Sequence, residues 1–386
     1  MRAIGVVTVA RSDYGHLLPV LQELERADDV ELLVYLAGSH LEAPFGVRTG
    51  DLVKADRWPI AAEIPMGIGD DAPATIAAAT GRGVVGFATE FARRRPDLLV
   101  VLGDRFEMLS AAVAALPFAL PVAHLHGGEV TEGAIDEQIR HAITKLSHLH
   151  FVAAEPYAAR VRQLGEDPER IHCFGAPGLD RLRSLGSLPR AEIERRLGLT
   201  LGRRTLLVTF HPETLALHDV PRQAEELTAA LEKIEGDVVV TAPGADAGNR
   251  AISAAFERLA ERRPLMRLTA TLGDDVYTSL LREADVMVGN SSSGLIEAPS
   301  FGLPVVNVGD RQRGRLRAAN VIDVGHDRQA IAEAIQRALD PAFRRSIAGQ
   351  PNPYGDGDAA PRIAHVLRTV PLGPALTRKR FVDLRS

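Results

Sequence analysis

Cysteine is almost missing from this chain of 386 residues: Cys173 stands alone. An internal disulfide is therefore excluded, a reducing compartment fits, and a metal site would have to be built from histidines and carboxylates. Long apolar runs are missing as well; none approaches the roughly 18 residues that suggest a membrane span. The opening stretch MRAIGVVTVARSDYG passes from a short apolar run straight into a helix-like pattern without a small-residue cleavage site, and reads as the first strand of a cytoplasmic protein. There is no excess of positive charge, since 45 Lys and Arg face 50 Asp and Glu for a formal net charge of −5. A protein built to coat nucleic acid or an anionic membrane carries the opposite balance, so neither partner is expected. Low-complexity segments and short internal repeats are also lacking. So are the glycine fingerprint of dinucleotide binding and the P-loop, which argues against a nicotinamide dehydrogenase and a P-loop enzyme.

What is present is alternation. Short apolar or β-branched runs, Ala3–Val9, Val30–Ala37, Leu98–Leu102, Pro121–Ala123 and His150–Ala153, are separated by longer helical patterns. After a Gly- and Pro-rich stretch at Gly175–Pro189 the series restarts with Leu206–Phe210, Val238–Thr241, Val286–Val288 and Val305–Val308. Continuous apolar runs need cover on both faces, and residues at helical spacing such as Leu17, Leu21 and Leu24 supply it. The class is α/β, doubly wound, in two Rossmann-like halves, because a chain of this length exceeds what one core usually serves. The boundaries expected are 1–178, 179–366, and a segment 367–386 that packs back on the first half.

Ligands of such sheets bind beyond the carboxyl ends of the strands, so the residues that follow each strand matter most. In the first half these are Arg11, Ser12 and Asp13, then His40, then Asp104 and Arg105, then His124, His126 and Glu129. In the second they are His211-Pro212-Glu213, the stretch GADAGN, and Asn290-Ser291-Ser292-Ser293-Gly294, with Arg311, Arg313 and Arg315 after the next strand. A serine-rich turn before a helix offers unpaired N–H groups to a phosphate; plain serine N-capping is the competing account. The arginines suit a diphosphate or simply a solvated loop.

HLHGGEVTEGAIDEQIRHAITK, His124 to Lys145, is the densest stretch. If its helix begins near Ala134, Ile139, Ala142 and Leu146 form an apolar arc, Asp136 and Arg140 border it, and Glu137, His141 and Lys145 face outward. Asp136 and Arg140, four apart, also suit an ordinary helix pair. His-x-His with Glu129, His40 and Asp104 invites a metal-hydrolase reading, but without a strong ligand spacing. An acid–base reading places Asp104, His126, Glu129 and Asp136 together, moderated by Arg105 and Arg140.

RSDYGHL, GSHL, GDRFEML, HLHGGEVTEGAIDEQIRHAITK, HPET and NSSSGLIEAPSFGLPVVNVGDRQRGR, in this order from about Arg11 to Arg315, resemble the hydrolysing UDP-N-acetylglucosamine 2-epimerases of sialic-acid synthesis and their bacterial relatives acting on UDP-N,N′-diacetylbacillosamine. The resemblance implies a GT-B fold, a UDP-sugar substrate, no metal, no nicotinamide cofactor, and dimers or tetramers. It implies elimination of UDP to a 2-acetamidoglycal, then hydration with inversion at C2. UDP-N-acetylglucosamine is the leading substrate, with UDP-N,N′-diacetylbacillosamine as the alternative and a GT-B glycosyltransferase as a more distant one. Carried over residue by residue, Arg11, His211, Ser291, Ser292, Glu297 and Arg311 would hold UDP. Asp104, Asp136, Arg105 and Arg140 would serve the chemistry, and His16 and His40 the sugar side. Three positions depart from the pattern of the animal sialic-acid enzymes and the non-hydrolysing epimerases: His126 stands where they have glutamate, His16 where they have lysine, and Gly244 where they have asparagine, the HxHGGE form being a feature of the bacterial hydrolysing branch. His126 and Glu129 are thus alternatives for one proton-transfer role.

Overall fold

The structure, a computed structural model, describes residues 1–42, 49–69, 72–132, 135–241, 248–269 and 272–383. Among these the strands are, in chain order, β1 (Arg2–Thr8), β2 (Val30–Ala37), β3 (Ile60–Ile64), β4 (Leu98–Leu102), β5 (Val122–Leu125), β6 (Leu149–Val152), β7 (Ile171–Cys173), β8 (Thr205–Thr209), β9 (Asp237–Thr241), β10 (Met266–Thr269), β11 (Val286–Gly289), β12 (Val305–Val308) and β13 (Val321–Val324). They form two sheets, ordered β3-β2-β1-β4-β5-β6-β7 and β10-β9-β8-β11-β12-β13. Every neighbouring pair is parallel. The doubly wound α/β class is therefore observed in each.

The chain divides into two compact units, one of Met1–Glu129, Ile135–Arg181 and Tyr354–Ser386, the other of Val130–Ala134 and Leu182–Pro353. In the first, β1 and β4 are buried from both sides: Ile4, Val6, Val7 and Leu98 to Val101 are fully enclosed. Helix Ala359–Thr369 contributes Ala360, Ile363 and Leu367 to that same core. Its N-terminus is held by Asp180, whose carboxylate accepts from the Ala359 amide at 3.0 Å and from that of Ala360. In the second unit, alternation along β8 sends Leu206 and Val208 to one apolar cluster and Leu207 to the other, as a strand between two helical layers requires.

The sequence reading places nine of these strands to within two residues at each end. The four it omits, β3, β7, β10 and β13, are the two edges of each sheet. An edge strand is less fully covered and needs no unbroken apolar run; IAAEI, IHC, MRLT and VIDV all carry a polar or charged residue. The helix of the dense stretch runs Asp136–Leu146, and its phase differs from expectation. Arg140, Ile143 and Thr144 are its buried residues and Ala142 is exposed. Polar groups at the ends of β4 and β5 require donors, and Arg140 and Thr144 supply them. Ala134, where that helix was expected to begin, lies outside the described residues. Among the described residues, no helix is long and apolar enough to cross a membrane.

Strand order reverses between β1 and β4 in the first sheet and between β8 and β11 in the second. Such switch points leave a crevice at the carboxyl ends of the strands, which tells where to look in each unit.

Candidate functional site

Beyond β1, the chain turns into helix Arg11–Glu25, with Arg11 exposed at its first position and Asp13 buried in its first turn. The Asp13 carboxylate accepts from the Val9 amide at 2.9 Å, from the Ala10 amide, and from the Thr8 hydroxyl at 2.8 Å. Because the Thr8 proton goes to Asp13, its oxygen must accept from His40 Nε2, 2.9 Å away. His40 Nδ1 then accepts from the Thr49 hydroxyl at 2.8 Å. Both ring nitrogens of His40 are engaged, so its tautomer follows from the chain of bonds. Burial, reinforced by the charge of Arg105, pushes His40 down to about 4, and burial pushes Asp13 up to about 6.

At the end of β4, Gly103 takes a φ of 73° and delivers Asp104 and Arg105. The Arg105 guanidinium forks onto the fully buried Glu107 at 3.1 and 2.8 Å and reaches the Ser39 hydroxyl at 3.3 Å. Burial opposes its charge, but Glu107 beside it holds the guanidinium more firmly protonated than usual. From the facing helix, Arg140 donates to Asp104 and, at 2.8 Å, to the main-chain carbonyl of His126. Asp136, half-buried on the same helix, is pushed up to about 6 by burial and then by the negative charge of Asp104, with Arg105 and Arg140 pulling the other way.

After β5 the two histidines part company. His124 is fully buried and doubly bonded, to the Gly103 carbonyl at 2.8 Å and the Thr144 hydroxyl at 3.2 Å. Burial drives it down to about 3, so it is a neutral strut joining the ends of β4 and β5 to the helix. His126 instead turns back with a φ of 61°, unusual for a residue with a side chain. Its Nδ1 sits 2.6 Å from Glu129 Oε1, and its ring lies edge-on to His16 with centroids 5.4 Å apart. Gly178 leaves room for His16, since a Cβ there would come within 2.4 Å of the imidazole. Among the described residues, no group of three or more His, Cys, Asp or Glu is arranged to hold a metal ion.

In the second unit, Asn290 organises the switch point. Its side-chain oxygen accepts from the His211 amide at 2.7 Å and its nitrogen donates to the His211 carbonyl at 2.9 Å, which closes the end of β8 onto the end of β11. Its own carbonyl accepts from Arg311 at 3.2 Å and Gln312 at 2.8 Å. Gly289 permits this approach, because a Cβ there would stand 2.0 Å from the Thr209 carbonyl oxygen. The helix that follows is short, Ser292–Ile296, and Ser291 caps it by accepting from the Ser293 amide at 3.3 Å. Ser293 donates to Glu297 and accepts from the Tyr277 hydroxyl at 2.7 Å. Glu213 accepts from the Asp310 amide at 2.8 Å and lies 3.2 Å from His326, so it anchors the loop that carries Arg311.

The structure thus brings Asp104, Arg105, His126, Glu129, Asp136, Arg140, His16, His40 and Arg11 to one end of the first sheet. His211, Ser291, Ser292, Glu297 and Arg311 lie at the corresponding end of the second. Gly244 and most of the GADAGN stretch lie outside the described residues. Three residues that organise these ends were given no role in the sequence reading: Asp13 and Asn290, named there only as strand-end residues, and Glu107, which was not singled out. Each lies within three residues of one that was given a role, so proximity to a strand end was the available signal.

The family model for UDP-N-acetylglucosamine 2-epimerase matches residues 22–368. The hydrolysing UDP-N,N′-diacetylbacillosamine 2-epimerase of Legionella pneumophila is 37% identical over 98% of this chain and 99% of its own length. The UDP-N-acetylglucosamine 2-epimerase of Neisseria meningitidis serogroup B is 31% identical over 100% of both. Among solved structures, that of a Neisseria meningitidis UDP-GlcNAc 2-epimerase bound to UDP-GlcNAc superposes with a TM-score of 0.79, covering 95% of this chain and 99% of that one at 18% identity. At that identity the likeness speaks for the fold, which is GT-B-like. Together with the full-length sequence relatives, it shows that the chain belongs to the UDP-N-acetylglucosamine 2-epimerase family, enzymes that act on a nucleotide sugar.

Proposed function

We propose that the protein is a hydrolysing 2-epimerase of a UDP-activated 2-acetamido sugar, with UDP-N,N′-diacetylbacillosamine as the preferred substrate. This reverses the order drawn from the sequence, because the 37% identical relative carries that name whereas the relative named for UDP-N-acetylglucosamine is 31% identical. UDP-N-acetylglucosamine remains the second reading, supported by that relative's match over the whole chain.

The observation that carries the reaction is the pair Asp104 and Asp136. The negative charge of one, added to burial, raises the other to about 6 while Arg105 and Arg140 limit the rise. Carboxyl groups in unlike environments can divide acid and base duties near neutral pH. In the elimination, the C2–H bond breaks as its proton passes to a base. The electron pair forms C1=C2, and the C1–O bond breaks so that UDP leaves with its electrons. In the hydration, the C1=C2 electron pair takes a proton at C2 from an acid on the opposite face, and water oxygen bonds to C1 while one water proton passes to a base. We assign the proton transfers to Asp104, Asp136 and the hydrogen-bonded pair of His126 and Glu129, with Arg105 and Arg140 stabilising charge. His16 and His40 shape the sugar side, and Arg11, His211, Ser291, Ser292, Glu297 and Arg311 take the nucleotide.

Proton NMR in D₂O with each sugar nucleotide tests this. The expected result is UDP, a free sugar inverted at C2, and deuterium at C2, faster from the diacetyl substrate. Sugar transfer to an acceptor with the C2 proton retained would overturn it.

A further inference from the structure

We infer that His126 and Glu129 form a catalytic dyad in which Nε2 of His126 takes the C2 proton and Glu129 is a positioning residue acting through Nδ1. The inference rests on the 2-epimerase reading and assigns separate duties to two residues that the sequence left as alternatives.

Three observations support it. First, Glu129 Oε1 lies 2.6 Å from His126 Nδ1, and both residues are buried, at 3% and 6% exposure. A carboxylate only accepts, so Nδ1 carries the proton that binds Glu129, and Nε2 is the nitrogen left to take another. Second, His126 Nε2 is buried with no hydrogen-bond partner among the described residues. The contrast is with His124 and His40, each of which uses both ring nitrogens on protein partners. A buried polar atom left open calls for an account, and at this nitrogen, whose ring is already oriented through Nδ1 by Glu129, a reacting proton provides one.

Third, the backbone of His126 is held where a side chain is disfavoured. Its φ of 61° is pinned on both sides, the amide donating to the Phe151 carbonyl at 2.9 Å and the carbonyl accepting from Arg140 at 2.8 Å. Glycine would occupy this conformation without cost, whereas a residue with a Cβ is strained there. Strain of this kind concentrates where a side chain has to be aimed. In the step itself, Nε2 gains the C2 proton as the C1=C2 bond forms and UDP departs, and the carboxylate of Glu129 steadies the resulting imidazolium. Glu129 keeps its hydrogen bond throughout and does not take the proton.

The test uses the full-length enzyme with nitrogen-15-labelled histidine. In the wild type, His126 shows a protonated Nδ1 and a bare Nε2; in Glu129→Gln, whose amide is isosteric but uncharged, the two tautomers mix. Turnover then falls about 10²–10³-fold in His126→Gln and about 10–10²-fold in Glu129→Gln, with KM and UDP affinity within about twofold of wild type. A merely structural Glu129 would leave both the tautomer and the kcat-against-KM split unchanged in Glu129→Gln. A wild-type His126 protonated at Nε2, or unchanged kcat in either variant, would overturn the dyad. Should the wild type convert neither sugar, the 2-epimerase reading fails and the catalytic duty falls with it, while the tautomer measurement still decides the pairing.

Discussion

Arg140 donates to the main-chain carbonyl of His126 at 2.8 Å, and through its other terminal nitrogen it reaches Asp104. One guanidinium thereby fixes the helix Asp136–Leu146 against the ends of two strands, and it is nearly fully buried in doing so, at 3% exposure. The planar fork of arginine suits two acceptors at once, which a lysine ammonium matches poorly.

Replacing Arg140 by leucine leaves the His126 carbonyl and the Asp104 carboxylate without this donor. The expected cost is about 2–4 kcal/mol of unfolding free energy, measured by urea denaturation at pH 7. Arg140→Lys should recover only part of it. A loss under about 1 kcal/mol for the leucine variant would show that the fork is not what holds the helix in place.

Asp136→Asn should lower turnover by at least about 10²-fold while the Kd for UDP stays within about twofold, read by product release and by calorimetric titration of UDP. The same variant should be more stable at pH 7. A carboxyl raised from 3.8 to about 6 by folding favours the folded state at low pH and loses that contribution as the pH rises between those values. Removing the charge should therefore add about 1 kcal/mol after allowance for solvent screening. Unchanged turnover would remove Asp136 from the chemistry.

Stability should decline in acid. Burial first of all holds His40, His124 and His148 at about 4, 3 and 4, and lowers His150 and His172 as well. In the unfolded chain they take up protons near 6.5, so their contribution is complete above that pH and is lost as the pH falls toward the folded values. Asp13 and Asp136, raised to about 6, act oppositely between roughly pH 4 and 6 but are fewer. Unfolding free energy should drop by roughly 1–3 kcal/mol per pH unit from pH 6 to 4. Denaturant midpoints at three pH values check the slope, and a flat profile contradicts the burial of neutral imidazoles.

Asn290→Asp keeps the shape of the side chain but loses the donor that satisfies the His211 carbonyl, and it places a charge in a fully enclosed position. A cost of about 1–3 kcal/mol is expected, together with weaker UDP binding through the displaced His211 and Arg311. Isothermal titration with UDP supplies the readout; affinity equal to wild type would separate Asn290 from the nucleotide.

Much of the site was legible because its residues follow directly after strands that announce themselves. Asp104, Arg105, His126 and His211 each stand within three residues of a buried parallel strand, and nothing beyond counting was needed to find them. His124 and Arg140 were harder. Both carry chemistry-bearing side chains in a suggestive motif, yet one is a neutral strut with both nitrogens engaged and the other is the buried centre of its helix. A motif specifies residue types, and only the partners supplied from other strands decide whether a nitrogen is occupied or open.

The amino-acid sequence by itself determined the doubly wound class, the interior strands of both sheets and the family, because continuous apolar runs and strand-end motifs are local properties of the chain. It did not determine the four edge strands, the inward phase of Arg140, or the roles of Asp13, Glu107 and Asn290. Those depend on which groups meet across the fold, where burial raises the cost of every unpaired polar atom and so selects one set of partners from several that the sequence permits.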